Sequence, residues 1–195
     1  MQTPHSWTGD TVSLCQHCFR ALLQALARPC QPQELPGELA KESLPLPWEL
    51  ASIALTLCDQ SSAVYLGSGL GSDDAHAWLR FYTGMNLVQS PCEADFVLVG
   101  TPCDLPLLAS LKQGTATYPD RSATLVVAGT DFSAQPGILA SGPGIRNTVP
   151  LPFRPADGFL AQWRDNHDRF PMGVDVFFCG RGQVAGLPRT TLLSA

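Results

Sequence analysis

From residue 63 to residue 128 short apolar runs alternate with segments of helical spacing, and this alternation narrows the possible folds more than any other feature. Ala63–Leu66 (AVYL), Phe96–Val99 (FVLV) and 123–128 (ATLVVA) have the length and residue types of strands. After the first run comes a glycine-rich turn, GSGLGS at 67–72, and then a predicted helix. Ser72 is its expected N-cap, Asp73 and Asp74 suit its positive end, and Ala75, Trp78, Leu79 and Tyr82 form its packing stripe. Thr101, Pro102 and Asp104 predict another helix, with Leu105, Leu108 and Leu111 along one side. Residues 137–141 (GILAS) read as a strand, and 155–168 read as a helix whose Ala156, Phe159, Leu160, Trp163 and His167 share a side. The chain ends in VDVFFCG and QVAGLPRTT, two strand-like runs that predict a hairpin around GRG. Strands alternating with helices and followed by a hairpin predict a three-layer α/β fold with a central mixed sheet.

The N-terminal part is less regular. Residues 11–28 predict a helix with Leu14, Cys18, Phe19, Leu22 and Leu26 on its apolar face, Asp10 as N-cap and Pro29 as its stop. A strap at about 29–47 holds five prolines and is expected to be irregular. The segment 48–58 (WELASIALTLC) is apolar nearly all round, which suits a largely buried helix and leaves a strand reading open. At 195 residues, the expectation is one domain over 1–195.

A formal charge of −5, with only Lys41 and Lys112 as lysines, argues against a nucleic-acid surface. The first ten residues have neither a basic start nor an apolar core, and no run is long enough to span a membrane. A cytoplasmic protein is therefore expected, with its seven cysteines mostly buried thiols.

No catalytic constellation emerges from the motifs. Cys15 and Cys18 form a CxxC inside the first predicted helix, without the second ligand pair that structural zinc needs, so packing is the expected role. GSGLGS is correctly placed for a phosphate-binding turn. It lacks the GKS/T ending, has Ser72 where GxGxxG needs glycine, and is followed by two aspartates, which favours a tight surface turn. His167 lies between Asp165 and Asp168 with no nucleophile beside it, so a charged helix end is the stronger reading. Cys179 falls in a predicted buried strand, where a thiol is inert. Arg80, Arg146 and Arg189 are the candidates for binding an anion or a neighbouring subunit. Their alternative role is pairing within the chain, to Asp175, Asp95 or helix ends.

FRALLQAL near 19–26, LTLCDQSSAVYL at 55–66, LRFYTG at 79–84, LKQGTATYPDRSATLVV at 111–127, SGPGI at 141–145, RFPMGVDVFF at 169–178 and GLPRTT at 186–191 carry a resemblance over nearly the whole chain. In order and spacing they resemble PhnH, a subunit family of the bacterial carbon–phosphorus lyase core complex, with FPMGVD and LPRTT the most specific pieces. The resemblance implies a fold related to the pyridoxal-phosphate-dependent transferases, without the cofactor, and a homodimer. It also implies partnership with subunits G, I and J in that core complex. The system forms ribose 1-alkylphosphonate 5-triphosphate from ATP and an alkylphosphonate, before a radical step on another of its chains cleaves the carbon–phosphorus bond. The expected role is accessory and non-catalytic, with no metal or cofactor of its own; the alternative is a stand-alone pyridoxal-phosphate- or nucleotide-dependent transferase. Lys41 in the strap and Lys112 near the expected end of a helix do not follow a strand as a Schiff-base lysine would, which fits cofactor loss. Cys30 departs from the family pattern, where a glycine commonly follows the proline that ends the first helix.

Overall fold

A computed structural model describes residues 10–37, 43–134 and 137–194. The first helix, α1 (Asp10–Ala27), is followed by the two-residue strand β1 (Gln33–Glu34), the only regular element described in the proline-rich strap. Then come α2 (Trp48–Leu57), β2 (Ala63–Leu66), α3 (Asp73–Thr83), β3 (Asn86–Leu87), β4 (Phe96–Val99) and β5 (Thr124–Val127). The chain continues through β6 (Leu139–Ser141), β7 (Val149–Pro150), α4 (Phe159–His167), β8 (Asp175–Gly180), β9 (Gln183–Leu187) and β10 (Leu192–Ser194).

Seven strands form one mixed sheet in the order β1-β9-β8-β5-β4-β2-β3. From β3 to β8 every pairing is parallel, while β9 is antiparallel to both β8 and β1. The expected hairpin forms around Arg181 and Gly182, both at positive φ, the backbone that a two-residue turn matched to strand twist requires. Strand side chains alternate between faces, so one strand feeds two cores. Leu98, Val126, Phe177 and Cys179 pack with Leu14, Cys18, Leu22, Leu50, Ile53 and Leu79 from α1, α2 and α3. Val97, Val99, Leu125, Val127, Val176 and Phe178 face the other way, toward Phe153, Phe159 and Trp163. That second core is aromatic: Phe153 and Phe178 have centroids 4.1 Å apart, and Phe159 stacks on Trp163 at 5.8 Å.

Several sequence expectations need correction. No α-helix follows β4; 3₁₀ turns at Pro102–Asp104 and Leu108–Ser110 replace it. Pro106 is the cause, because the residue before a proline is driven out of the helical region, and Leu105 is extended at φ −56°, ψ 122°. The 137–141 strand does not join the main sheet. As β6 it pairs antiparallel with β10 and β7 in a small sheet that the sequence did not signal. α4 begins at Phe159 rather than 155, because Gly158 takes a left-handed conformation. On α1, Phe19 is exposed and Ala25 completes the buried stripe of Leu14, Cys18 and Leu22, since the core-facing arc is narrower than the apolar one.

Cys30 stands in the left-handed region of backbone space, which favours glycine. Its φ is +62°, its N–H donates to Gly186 O at 3.0 Å, and its side chain is buried. A non-glycine residue there is strained by roughly 1–2 kcal/mol.

Candidate functional site

Open α/β sheets bind ligands beyond the carboxyl ends of their strands, where the strand order reverses. Here the chain runs outward from β2 to β3 and then returns across β2 to β4, so the switch point lies between β2 and β4. The GSGLGS turn closes that point. Gly67 N–H donates to Leu98 O at 2.7 Å, Gly69 has φ +81°, and Ser72 Oγ accepts from Ala75 N–H at 3.1 Å to cap α3. A groove of about 480 Å³ lies over the turn, lined by Tyr65, Leu66, Gly67, Ser68, Gly69, Gly71 and Ser72.

Hydroxyls and peptide groups dominate this groove, and Asp73 and Asp74 follow in the exposed first turn of α3. No arginine or lysine lines it. An anion would meet amides and the helix dipole, but also two carboxylates, so the arrangement suits a capped turn better than a phosphate cradle. Next to it, glycines let adjacent backbones touch. A Cβ on Gly129 would sit 3.2 Å from Gly100 O, and one on Gly180 only 2.4 Å from Thr130 O.

The opposite, amino-terminal end of the strands is built from side chains. Asp175 opens β8 and receives Arg189 N–H at 2.8 Å, Nε at 3.1 Å and Nη2 at 2.6 Å. Nη2 also donates to Ser122 Oγ at 2.6 Å, while Nη1 donates to Pro119 O at 3.0 Å and Pro171 O at 3.3 Å. A guanidinium has five N–H groups, and these contacts use all of them. Arg189 thus pairs with Asp175 within the chain, the intramolecular role that is one of its two readings from the sequence. His167 is held nearby, with Nδ1 2.9 Å from Arg189 O, an atom that can only accept. Along the strand edge Lys112 Nζ donates to Asp95 Oδ1 at 2.5 Å, and the Ala63 amide donates to Asp95 Oδ2 at 3.0 Å. Burial raises the Asp95 pKa, but hydrogen bonds from Lys112 and Ala63 and the lysine charge outweigh it and hold the carboxyl below its ordinary value. Lys112 lies in a loop, not at a helix end; Lys41 is outside the described residues.

The other two arginines lie elsewhere. Arg80 is exposed on α3, and Arg146 is exposed in the turn between β6 and β7. Among the described residues neither has a side-chain hydrogen bond or ion pair within the chain, and the three arginines do not converge. Four of the seven cysteines follow the packing reading, while Cys15 is half-buried and Cys92 and Cys103 are exposed. Cys18 Sγ donates to Ser52 O at 3.7 Å, and burial pushes its thiol up to about 11. Burial likewise pushes Cys30 and Cys58 up to about 12 and raises Cys179. No cluster of potential metal ligands occurs among the described residues.

One important residue is missed by sequence reasoning. Asn166 is fully buried: its Oδ1 accepts from Val174 N–H at 2.8 Å, and its Nδ2 donates to Val174 O at 3.0 Å. It lies three residues after Trp163 and seven after Phe159, on the packing side of α4, a spacing that could have singled it out among the charges of RDNHDR.

The sequence matches the family model for bacterial phosphonate metabolism protein (PhnH) over residues 8–194. It is 35% identical over 186 residues to alpha-D-ribose 1-methylphosphonate 5-triphosphate synthase subunit PhnH of Rhizobium meliloti (strain 1021), covering 95% of this chain and 92% of that protein. It is also 29% identical over 177 residues to a Stutzerimonas stutzeri protein named as C-P lyase subunit protein HtxG, covering 90% of this chain and 84% of that one.

Proposed function

The chain belongs to the PhnH family of bacterial phosphonate metabolism proteins, and from that premise we propose that it is an accessory subunit of a carbon–phosphorus lyase core complex. In this reading it supports formation of ribose 1-alkylphosphonate 5-triphosphate from ATP and an alkylphosphonate without contributing a bond-making residue. The observation that carries the proposal is the reach of the match, from residue 8 to residue 194, which takes in every strand of the main sheet and both of its ends. Two structural features support it. The ionisable groups at the amino-terminal edge are spent on one another, as Arg189 with Asp175 and Lys112 with Asp95. Val12, Phe19 and Leu23 form an outward apolar stripe on α1, a kind of surface that assembly partners cover.

Partnership with subunits G, I and J, a homodimer and a cytoplasmic setting belong to the same proposal; no helix among the described residues is long and apolar enough to cross a membrane. So does a likeness to pyridoxal-phosphate-dependent transferases that have lost the cofactor. A mixed sheet with helices on both faces supports that likeness. Lys112 sits at the amino-terminal strand edge beside Asp95, away from the switch-point groove, and so is poorly placed to hold an aldehyde there. The stand-alone transferase gains no support from the relatives, which are both named as subunits.

Coexpression of subunits G, I and J with and without this chain tests the proposal. The expected result is loss of complex yield and of ribose-phosphonate product when the chain is omitted. An unimpaired, fully active complex in its absence would defeat it.

A further inference from the structure

On one side the main sheet ends at β1, and among the described residues no strand lies beyond it. An edge strand turns half of its N–H and C=O groups outward, where another chain can pair with them. The register shows which groups those are. Leu35 N–H donates to Gly182 O at 2.8 Å, and two residues earlier Gln33 stands opposite Val184. Antiparallel partners exchange bonds at every second residue, so Gln33 and Leu35 turn their backbone groups toward β9. Residues 32, 34 and 36 turn theirs away from the sheet. Two of these are Pro32 and Pro36, which have no N–H. Glu34, the third, is exposed and holds the one outward donor. The start of the strand is irregular as well. Cys30 N–H donates to Gly186 O, so the chain takes three steps to Gln33 while β9 takes two to Val184. That extra residue makes a bulge, which bends and twists the edge, and Cys30 at φ +62° begins it.

We propose that the segment from Cys30 to Pro36 closes this edge of the sheet against strand addition, so that no other polypeptide lengthens the sheet beside β1. An incoming extended chain needs donors at 32, 34 and 36. It meets one, set between two proline rings and next to the Glu34 carboxylate. Proline at an outward position of an edge costs no bond to the neighbouring strand, whereas in the ladder it removes one. Moving either proline one place toward the middle of β1, to 33 or 35, would take away a bond to β9, so the prolines are matched to the register. β1 is two residues long, which leaves an added strand little to grip. The proline-rich strap thereby has a role that does not depend on the accessory function proposed above: partners of this chain must engage it through other surfaces.

Amide hydrogen exchange of the wild-type full chain, followed by NMR, tests the register without any substitution. The Glu34 amide should exchange at least about tenfold faster than those of Gln33 and Leu35. Pro32→Ala combined with Pro36→Ala then opens the edge. In dilute solution the two new amides should exchange freely, since they face water. At higher concentration the double variant should associate at least about tenfold faster than the wild type by light scattering, with a gain in thioflavin fluorescence. Adding Glu34→Pro to it should return association to the wild-type rate, because the central outward donor is then gone. Pro143→Ala, at an exposed proline in the SGPGI turn, should leave association unchanged. A protected Glu34 amide, new amides that are protected in dilute solution, a double variant no more prone to associate than the wild type, or a central proline without rescue would each overturn the proposal.

Discussion

The two ends of the parallel strands are closed by different chemistry. At the amino-terminal end, polar side chains close the structure: Arg189 spans Asp175, Ser122 and two carbonyls, and Lys112 spans to Asp95. At the carboxyl end, where ligands of such sheets ordinarily bind, glycines at 67, 129 and 180 let backbone meet backbone, and Gly100 leaves room for the Leu70 side chain. The contrast teaches that a conspicuous charged motif can be architecture, while the position that topology reserves for chemistry is occupied by a tight turn. LPRTT holds the most eye-catching arginine of the chain, yet its guanidinium has no N–H left for a ligand.

Breaking the amino-terminal end should have the largest effect. Arg189→Leu leaves the Asp175 carboxylate beside unsatisfied carbonyls in a site where the arginine side chain is only 12% exposed. The expected loss is about 3–5 kcal/mol in denaturant unfolding, and Arg189→Lys should recover little of it because an ammonium cannot reproduce the fork. Gly180→Ala probes the carboxyl end. Its new methyl would lie 2.4 Å from Thr130 O, so the β5 loop and β8 must part, at about 1–3 kcal/mol. If Gly180→Ala proves costlier than Arg189→Leu, the comparison is inverted and backbone contact is the stronger lock. Ser72→Ala removes the cap at the switch-point turn and should cost about 1 kcal/mol, read as a lower thermal midpoint.

The smallest expected effect is a pH dependence. The Asp95 carboxyl is held below its ordinary pKa on folding, so its contribution is present above the unfolded aspartate value and is lost as pH falls through the folded value. Asp95→Asn should therefore differ from wild type by a constant amount near neutrality, and the difference should shrink below about pH 4. The pair is more than a third exposed, which keeps the effect slight. A gap that persists unchanged into acid would show that the charge of Asp95 is immaterial and only its shape counts.

Local rules made most elements readable. Four-residue strands with β-branched and aromatic residues, the Ser72 cap before two aspartates, and the Arg181–Gly182 hairpin follow from propensity and turn chemistry, which act within a few residues. Pro106 is equally visible, and its full weight removes the helix expected after β4. The small β10-β6-β7 sheet was not readable, because its three strands are two or three residues long and β10 pairs with β6 across about 50 positions. Of the candidate site, Arg80, Arg146 and Arg189 could be named from sequence, but their separate fates depended on what folding brought beside each.

Sequence alone determined the class of fold, since the period of apolar residues selects helix or strand wherever an element must bury one side. It also carried the family, whose model matches from residue 8 to residue 194. Only the tertiary structure decided which charges are spent and which face outward: Arg189 meets Asp175 through the antiparallel pairing of β8 and β9, while Arg80 stays on the outer face of α3. The physical reason is range. Propensity and capping act over a few neighbours, whereas an ion pair or a buried amide is fixed by which strands lie side by side, a choice made by burying both faces of the sheet at once.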